Sequence, residues 1–370
     1  MPNARLMQAA IYRNAVPRFS VEQVQLDAPR AGEVLVKIAA VGVCHSDYHL
    51  ISGATKHPAP AVVGHEGAGV VVSMGEGVLD LRVGDHVALN WAPSCGECFY
   101  CQRDRRSLCE AYLEPIWAGT MMDGTTRLSQ NGKPIYHFSA LACFAEYAVV
   151  PQECCVRVPD ELPLEVAALI GCAVTTGVGA VLNTAKVPPG VSVAIIGAGG
   201  VGLSVLLGAI HAGADQIIVI DRTPEKLQIA RDLGATDTFL NDDQTLAQVR
   251  GLTGGRGPDF AFEAVGVPVL QELALEMVRP GGSVVLAGIS PMGSATNLPG
   301  SLITRQEKTV MGSYYGTCDP ARDFPAYAQL YLEGKLPLDK LISKLYPLEQ
   351  INEAYADMLA GRTARGVVVP

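Results

Sequence analysis

Positive charge is in short supply: 28 Lys and Arg stand against 37 Asp and Glu in 370 residues, a formal net charge of −9 at pH 7. No stretch resembles a basic stripe, so neither nucleic acid nor an anionic membrane surface is expected as a partner. Also missing is any run approaching roughly 18 uninterrupted apolar residues, and the opening "MPNARLMQAAIYRNA" has no apolar h-region or small-residue cleavage site. These absences set the expectation of a cytoplasmic protein without a membrane partner. Internal repeats, low-complexity tracts and linkers are absent as well. What is plentiful is apolar character, 49% of the chain, which at this length predicts two buried cores rather than one. The ten cysteines of a cytoplasmic chain stay reduced, and their tight local clustering points to metal rather than disulfides.

The chain is organised around residues 191–210, "VSVAIIGAGGVGLSVLLGAI", followed by "HAGADQIIVID" ending at Asp221. The short β-branched run before the glycines suits a strand buried on both faces of a parallel sheet. Gly197, Gly199 and Gly202 then spell G-x-G-x-x-G, and each has a steric reason. The first allows a sharp turn, the second a close approach of backbone to a pyrophosphate, and the third tight packing of helix on strand. Asp221, 19 residues past Gly202 at the end of the next apolar strand, is placed to hold the ribose hydroxyls of a bound NAD and to repel a 2′-phosphate. The adjacent Arg222 works against that selectivity.

Before this region, "GEVLVKIAAVGVC", "AGVVVSMG" and "RVGDHVALN" are Val-rich runs separated by glycine turns, an all-β pattern. Irregular chain is expected between Cys95 and His137, and strand character resumes in "FAEYAVVP". "PLEVAALIGCAVTTGVGAVLNTAKV" reads as helix, Thr223 as the cap of a helix begun by Pro224, and "DFAFEAV" and "SVVLAGI" as buried strands. Two amphipathic helices and the strand "ARGVVVP" close the chain. The predicted architecture is a doubly wound α/β domain, residues 174–314, inserted into a β-rich domain made of residues 1–173 and 315–370.

"CGECFYCQRDRRSLC" places Cys95, Cys98, Cys101 and Cys109 in a lobe at about residues 92–112. Four thiolates at this spacing close on one tetrahedral ion and leave no open position, so a structural Zn²⁺ is expected. An iron–sulfur cluster usually has its fourth cysteine closer, and before proline. Cys44, His65 and Cys172 are dispersed, and spacing alone does not join them: each also reads as a small buried hydrophobe or a satisfied core histidine.

With "GHEGAG", the four-cysteine lobe, "GCAVTTGVGA", "GAGGVGLS" and the final "TARG" in this order, the chain resembles the zinc-dependent medium-chain alcohol dehydrogenases over essentially its whole length, near their aryl-alcohol and class III-like branches. The resemblance implies a Rossmann domain set into a GroES-like catalytic domain and two Zn²⁺ per subunit. It makes Cys44, His65 and Cys172 ligands of a catalytic zinc, with Glu66 as an occasional further ligand and Asp47 orienting His65. Ser46 and His49 become a proton relay, His45 and Arg365 contacts to the NAD pyrophosphate, Thr176 a neighbour of the nicotinamide, and Lys226 a neighbour of the adenosine ribose.

The implied activity is NAD-dependent oxidation of primary alcohols to aldehydes and its reverse, with aromatic or allylic alcohols favoured because Trp91 adds aromatic surface to the pocket. The alternative is a thiol-dependent formaldehyde dehydrogenase acting on S-hydroxymethyl adducts. That branch carries an adduct-clamping arginine where this chain has Leu113. A non-catalytic redox or zinc sensor, or a metal-free reductase, would need neither the relay nor the open metal position. A homodimer is implied by the long segment 112–137 and by "TVMGSYYG", which could pair across a two-fold axis. Cys143, Cys154, Cys155 and Cys318 receive no role.

Overall fold

In the computed structural model, residues 4–14 and 18–370 are described; Met1, Pro2, Asn3 and Ala15 of the opening segment lie outside them. The Val-rich runs form the strands Glu33–Gly42, Gly67–Met74 and His86–Leu89, paired antiparallel. They belong to a seven-stranded sheet that also takes in Tyr147–Pro151, Cys155–Arg157 and, from the far end of the chain, Ile342–Pro347 and Arg365–Val369. Val367 pairs with Gly42 and Val368 with Val41, so the C-terminal strand returns to the domain that the N-terminus began.

A second sheet closes on itself as a barrel: Arg5–Tyr12, Phe19–Leu26, Leu128–Gln130, Lys133–His137 and Ala61–Val62. The stretch expected to be irregular therefore carries a hairpin, and before it the helix Leu113–Ala118. The hairpin turns through Asn131 and Gly132, both at positive φ (52° and 73°), as a tight turn matched to strand twist demands.

Between these parts lies a six-stranded parallel sheet in the order Asp237–Leu240, Gln216–Asp221, Ser192–Ile196, Phe260–Glu263, Ser283–Leu286, Thr309–Gly312. Ser192–Ile196 is central, and the chain continues first to one side of it and then to the other. That reversal opens a crevice at the carboxyl ends of the strands. Val193, Ala194, Ile195 and Ile196 are at most 1% exposed, which matches a strand covered on both faces. Burying each Val or Ile is worth about 1.5–3 kcal/mol, so this register is strongly held.

The helix Leu164–Ala185, 22 residues, is long and apolar enough to cross a bilayer, yet 89% of its apolar window is buried inside the protein. It is a core helix: its first turns pack on the strands Glu33–Gly42 and Gly67–Met74 and its later turns on the helix Gly200–Ala212, and residues 173 and 174 both lie within it. Its glycines let neighbours approach. A Cβ on Gly177 would fall 2.4 Å from the Val201 carbonyl, and one on Gly179 would fall 2.6 Å from that of Gly316. The helix Pro224–Asp232 does begin after Thr223, but the Thr223 side chain makes no capping bond. Instead the Thr223 N–H donates to Asp221 Oδ1 at 2.9 Å.

Candidate active site and cofactor crevice

Cys44 is the extended residue that precedes the helix His45–Ile51, His65 lies between the strands Ala61–Val62 and Gly67–Met74, and Cys172 sits in the π-helical turn Ile170–Val174 of the core helix. Such wide turns recur at functional positions. The fold brings one donor atom from each, together with a Glu66 oxygen, within 4.8 Å of one another, and all four residues are buried. His65 Nε2 lies 3.3 Å from Cys172 Sγ. Behind it, His65 Nδ1 is 3.0 Å from Asp47 Oδ1, which also accepts the Gly64 N–H at 2.9 Å. This fixes the imidazole with Nε2 facing inward.

A hydrogen bond from the Cys172 thiol, helped by Arg365 and His65, outweighs burial and holds the Cys44 thiol well below its ordinary range. As the donor, Cys172 is raised. Burial alone would lower the His65 pKa, but the Asp47 and Cys44 charges carry it well above its usual value. Two thiols, an imidazole and a carboxylate converging within 4.8 Å are donors that suit Zn²⁺.

Glu66 fits beside Gly42, where a Cβ would come within 2.4 Å of its carboxyl carbon. Its carboxylate is taken by Arg365, which donates through Nε at 3.0 Å and through a second nitrogen. Burial pushes the Glu66 carboxyl up to about 7 against the pull of Arg365. The same guanidinium packs on the glycine turn, 3.0 Å from where a Cβ on Gly200 would stand, and so lies between the donor set and the crevice.

At the turn itself Gly197 has φ 101°, and a Cβ on Gly202 would fall 1.7 Å from the Gly197 carbonyl oxygen. Gly199 precedes the helix Gly200–Ala212, and a Cβ there would meet nothing within 4 Å. The open space above a helix N-terminus is what a pyrophosphate needs. Asp221 Oδ2 accepts the Ala198 N–H at 2.7 Å, which ties the turn to the carboxylate. His45, Arg222, Thr223 and Lys226 line a polar cavity of about 330 Å³ next to it. Thr176 is buried in the core helix, four positions after Cys172.

Ser46 Oγ is 3.7 Å from Cys44 Sγ, and His49, three positions on, shares its helix face. Trp91 packs on Tyr315 at 4.4 Å with the rings tilted by 48°, meets Tyr314 edge-on at 5.4 Å and reaches His65 edge-on at 6.3 Å. Phe138 stands edge-on to His65 at 5.5 Å. Leu113 is 55% exposed at the start of its helix, outside this aromatic wall. Sequence reasoning missed Tyr314, Tyr315 and Phe138. The two tyrosines follow the strand Thr309–Gly312 at the carboxyl edge of the parallel sheet, a position that marks crevice residues.

In the lobe, the sulfurs of Cys95, Cys98, Cys101 and Cys109 lie within 4.8 Å of one another. Backbone N–H groups point at them: Cys95 N–H to Cys109 Sγ and Cys98 N–H to Cys95 Sγ, both 3.3 Å. Backbone hydrogen bonds around Cys101 and Glu110 bring the Cys98 thiol down to about 6, while burial lifts Cys101 to about 12. A donor set already held by amides and closed on itself fits a structural Zn²⁺.

Fold and site together define a zinc-type, nicotinamide-binding dehydrogenase. Comparison with known proteins narrows this. Residues 30–160 match the alcohol dehydrogenase GroES-like domain and residues 200–333 the zinc-binding dehydrogenase domain. The chain is 39% identical to the NDMA-dependent alcohol dehydrogenase of Amycolatopsis methanolica over 365 residues, 98% of each chain. It is 37% identical to the S-(hydroxymethyl)glutathione dehydrogenase of a Synechocystis species over 366 residues, 98% of this chain and 99% of the other. Benzyl alcohol dehydrogenase from Acinetobacter calcoaceticus superposes with a TM-score of 0.92 at 31% identity, covering 99% of both chains. The chain belongs to the zinc-dependent medium-chain alcohol dehydrogenases: it is an oxidoreductase of small-molecule alcohols that uses zinc and a nicotinamide cofactor.

Proposed function

We propose that the protein oxidises free primary alcohols to aldehydes with NAD, and reduces the aldehydes in reverse, favouring aromatic and allylic substrates. The observation that carries this reading is the aromatic wall of Trp91, Tyr314 and Phe138 around the buried Cys44, His65 and Cys172 donors. The similar benzyl alcohol dehydrogenase supports it. Cys44, His65 and Cys172 hold the catalytic zinc, and the four lobe cysteines hold a second, structural one. When these groups are bound, the chemistry they supply is polarisation of the alcohol oxygen by zinc and hydride acceptance by the nicotinamide.

The rest is done by side chains. Asp47 keeps His65 Nε2 turned inward, Ser46 takes the departing proton, and His49 on the same helix face passes it outward. Arg365 and the N-terminal amides of the helix Gly200–Ala212 hold the pyrophosphate, with His45 beside them. Thr176 would take the nicotinamide end, while Lys226 and the Asp221 carboxylate would hold the adenosine ribose and favour NAD over NADP. The ten unpaired cysteines suit a reducing cytoplasm. The free edge of the strand Thr309–Gly312, which pairs only with Ser283–Leu286 among the described residues, suits a two-fold homodimer; light scattering that gave a stable tetramer would refute the dimer.

A second reading has its own observation. Arg105 lines a cavity of about 370 Å³ with Tyr314 and Leu108, and its guanidinium could take over the carboxylate of a thiol adduct that Leu113 leaves unclamped. Comparing kcat/KM for benzyl alcohol, a medium-chain alkanol, ethanol, and formaldehyde with and without low-molecular-weight thiols separates the two. Strict thiol dependence would overturn the first reading.

A further inference from the structure

Tyr355 lies on the helix Ile351–Leu359 near the end of the chain and is 4% exposed. Its ring is clamped by aromatic neighbours: Phe19 at 5.2 Å, Phe144 at 6.2 Å and Tyr48, nearly parallel, at 6.4 Å. A phenylalanine would satisfy all of that packing. The hydroxyl is nonetheless present, buried, and without a hydrogen-bond partner, a condition that costs about 1–3 kcal/mol.

The missing partner is close at hand. Asp47 is fully buried, and while its Oδ1 serves Gly64 and His65, its Oδ2 has no partner at all. Burial raises the Tyr355 phenol well above its usual range, and the Asp47 charge is the next largest influence on it, ahead of Cys44. The phenol therefore keeps its proton and is a donor. Tyr48, the residue after Asp47, packs its ring along Tyr355, so a buried donor without an acceptor stands beside the segment that carries a buried carboxylate oxygen without a donor.

We propose that Tyr355 is a positioning residue for the metal site: its hydroxyl donates to Asp47 Oδ2 and, through Asp47, holds the tautomer and orientation of His65. This rests on the reading of Cys44, His65 and Cys172 as metal ligands. It adds a third tier to the site, supplied by the C-terminal segment, which returns to the first domain after the whole nucleotide domain has been built. Partners one step behind a ligand, as Asp47 is behind His65, typically contribute about 10–100-fold in metal affinity, and Tyr355 acts one step further back, at the lower end of that range.

The test is Tyr355→Phe, which keeps the ring and deletes only the hydroxyl. Zinc affinity is measured by competition with a chromophoric chelator, the environment of the bound ion by the visible absorption of the cobalt(II)-substituted protein, and fold integrity by melting of the metal-free chain. The expected result is a loss of about tenfold in affinity for the more labile zinc, a shifted cobalt band, retention of the lobe zinc and an unchanged metal-free melting point. In an Asp47→Ala background the same substitution should add nothing, since the two act through one path. Unchanged affinity in Tyr355→Phe, or an equal loss with and without the Asp47 carboxylate, would overturn the proposal. A wild-type chain that binds only one zinc would sink the metal reading itself and this inference with it, whereas two zincs with an indifferent Tyr355→Phe would sink the inference alone.

Discussion

His137 offers a measurable acid sensitivity. It is 1% exposed, and its Nε2 accepts the Arg127 N–H at 3.0 Å, so the ring proton resides on Nδ1. A second proton on Nε2 would point at an amide that is itself a donor. Burial first, then the Arg127 and His57 charges, push the pKa down to about 3. In the unfolded chain the same imidazole titrates near ~6.5. Between those values the unfolded state binds a proton that the folded state refuses, so stability is fully present above about pH 6.5 and falls as the pH drops. Each unit costs about 1.36 kcal/mol, so the fall from about pH 6.5 to 5 costs about 2 kcal/mol from this residue. His137→Leu removes the titration and leaves the Arg127 amide without an acceptor, a cost of about 1–3 kcal/mol at every pH. The variant should be the less stable protein near neutrality, with the gap closing by about 2 kcal/mol at pH 5. Urea unfolding of both proteins, zinc-saturated, at a series of pH values reads this directly. Parallel stability curves would refute the argument; His57, depressed chiefly by burial, is common to both proteins and drops out of the difference.

Cys98→Ser should release one zinc and lower the melting temperature, because a hydroxyl replaces a thiol that backbone hydrogen bonds hold near 6; unchanged zinc content and melting would count against the lobe assignment. Cys172→Ala should abolish turnover while circular dichroism and the lobe zinc stay unchanged, and residual turnover near the wild-type level would remove Cys172 from the ligand set. Asp221→Ser deletes the charge that opposes a 2′-phosphate and should narrow the preference for NAD by about 2 kcal/mol, checked by kcat/KM for both cofactors. A wild-type preference for NADP would contradict the premise.

Much of the fold is legible because its determinants are local. The strand Ser192–Ile196 announces itself by β-branched residues, and the turn after it by glycines that a side chain would strain: φ is 101° at Gly197, and a Cβ on Gly202 would fall 1.7 Å from backbone. The hairpin at Asn131–Gly132 carried its own signal, but glycine, threonine and charge around it masked the alternation of two very short strands. Thr223 stands where a cap belongs, yet its amide goes to Asp221, a residue already positioned by the strand before it. The apolar helix Leu164–Ala185 packs on strands of the antiparallel sheet at one end and on the helix Gly200–Ala212 at the other, which the sequence did not show, since periodicity reports that a helix is buried and not which core buries it.

The two donor sets divide along the same line. Cys95, Cys98, Cys101 and Cys109 are close in sequence, so a short loop with its own amides closes around them, and the residue spacing alone determines the site. Cys44, His65 and Cys172 converge only because a strand–helix junction, a loop between strands and a π-helical turn are packed against one another, which no local pattern encodes. Arg365 reaching Glu66, the tyrosines standing against Trp91, and Tyr355 lying behind Asp47 belong with them. Backbone sterics and side-chain alternation act over a few residues and can be read from the chain as written. Contacts between its distant parts depend on the summed packing of every element between them, and the tertiary structure alone decided those.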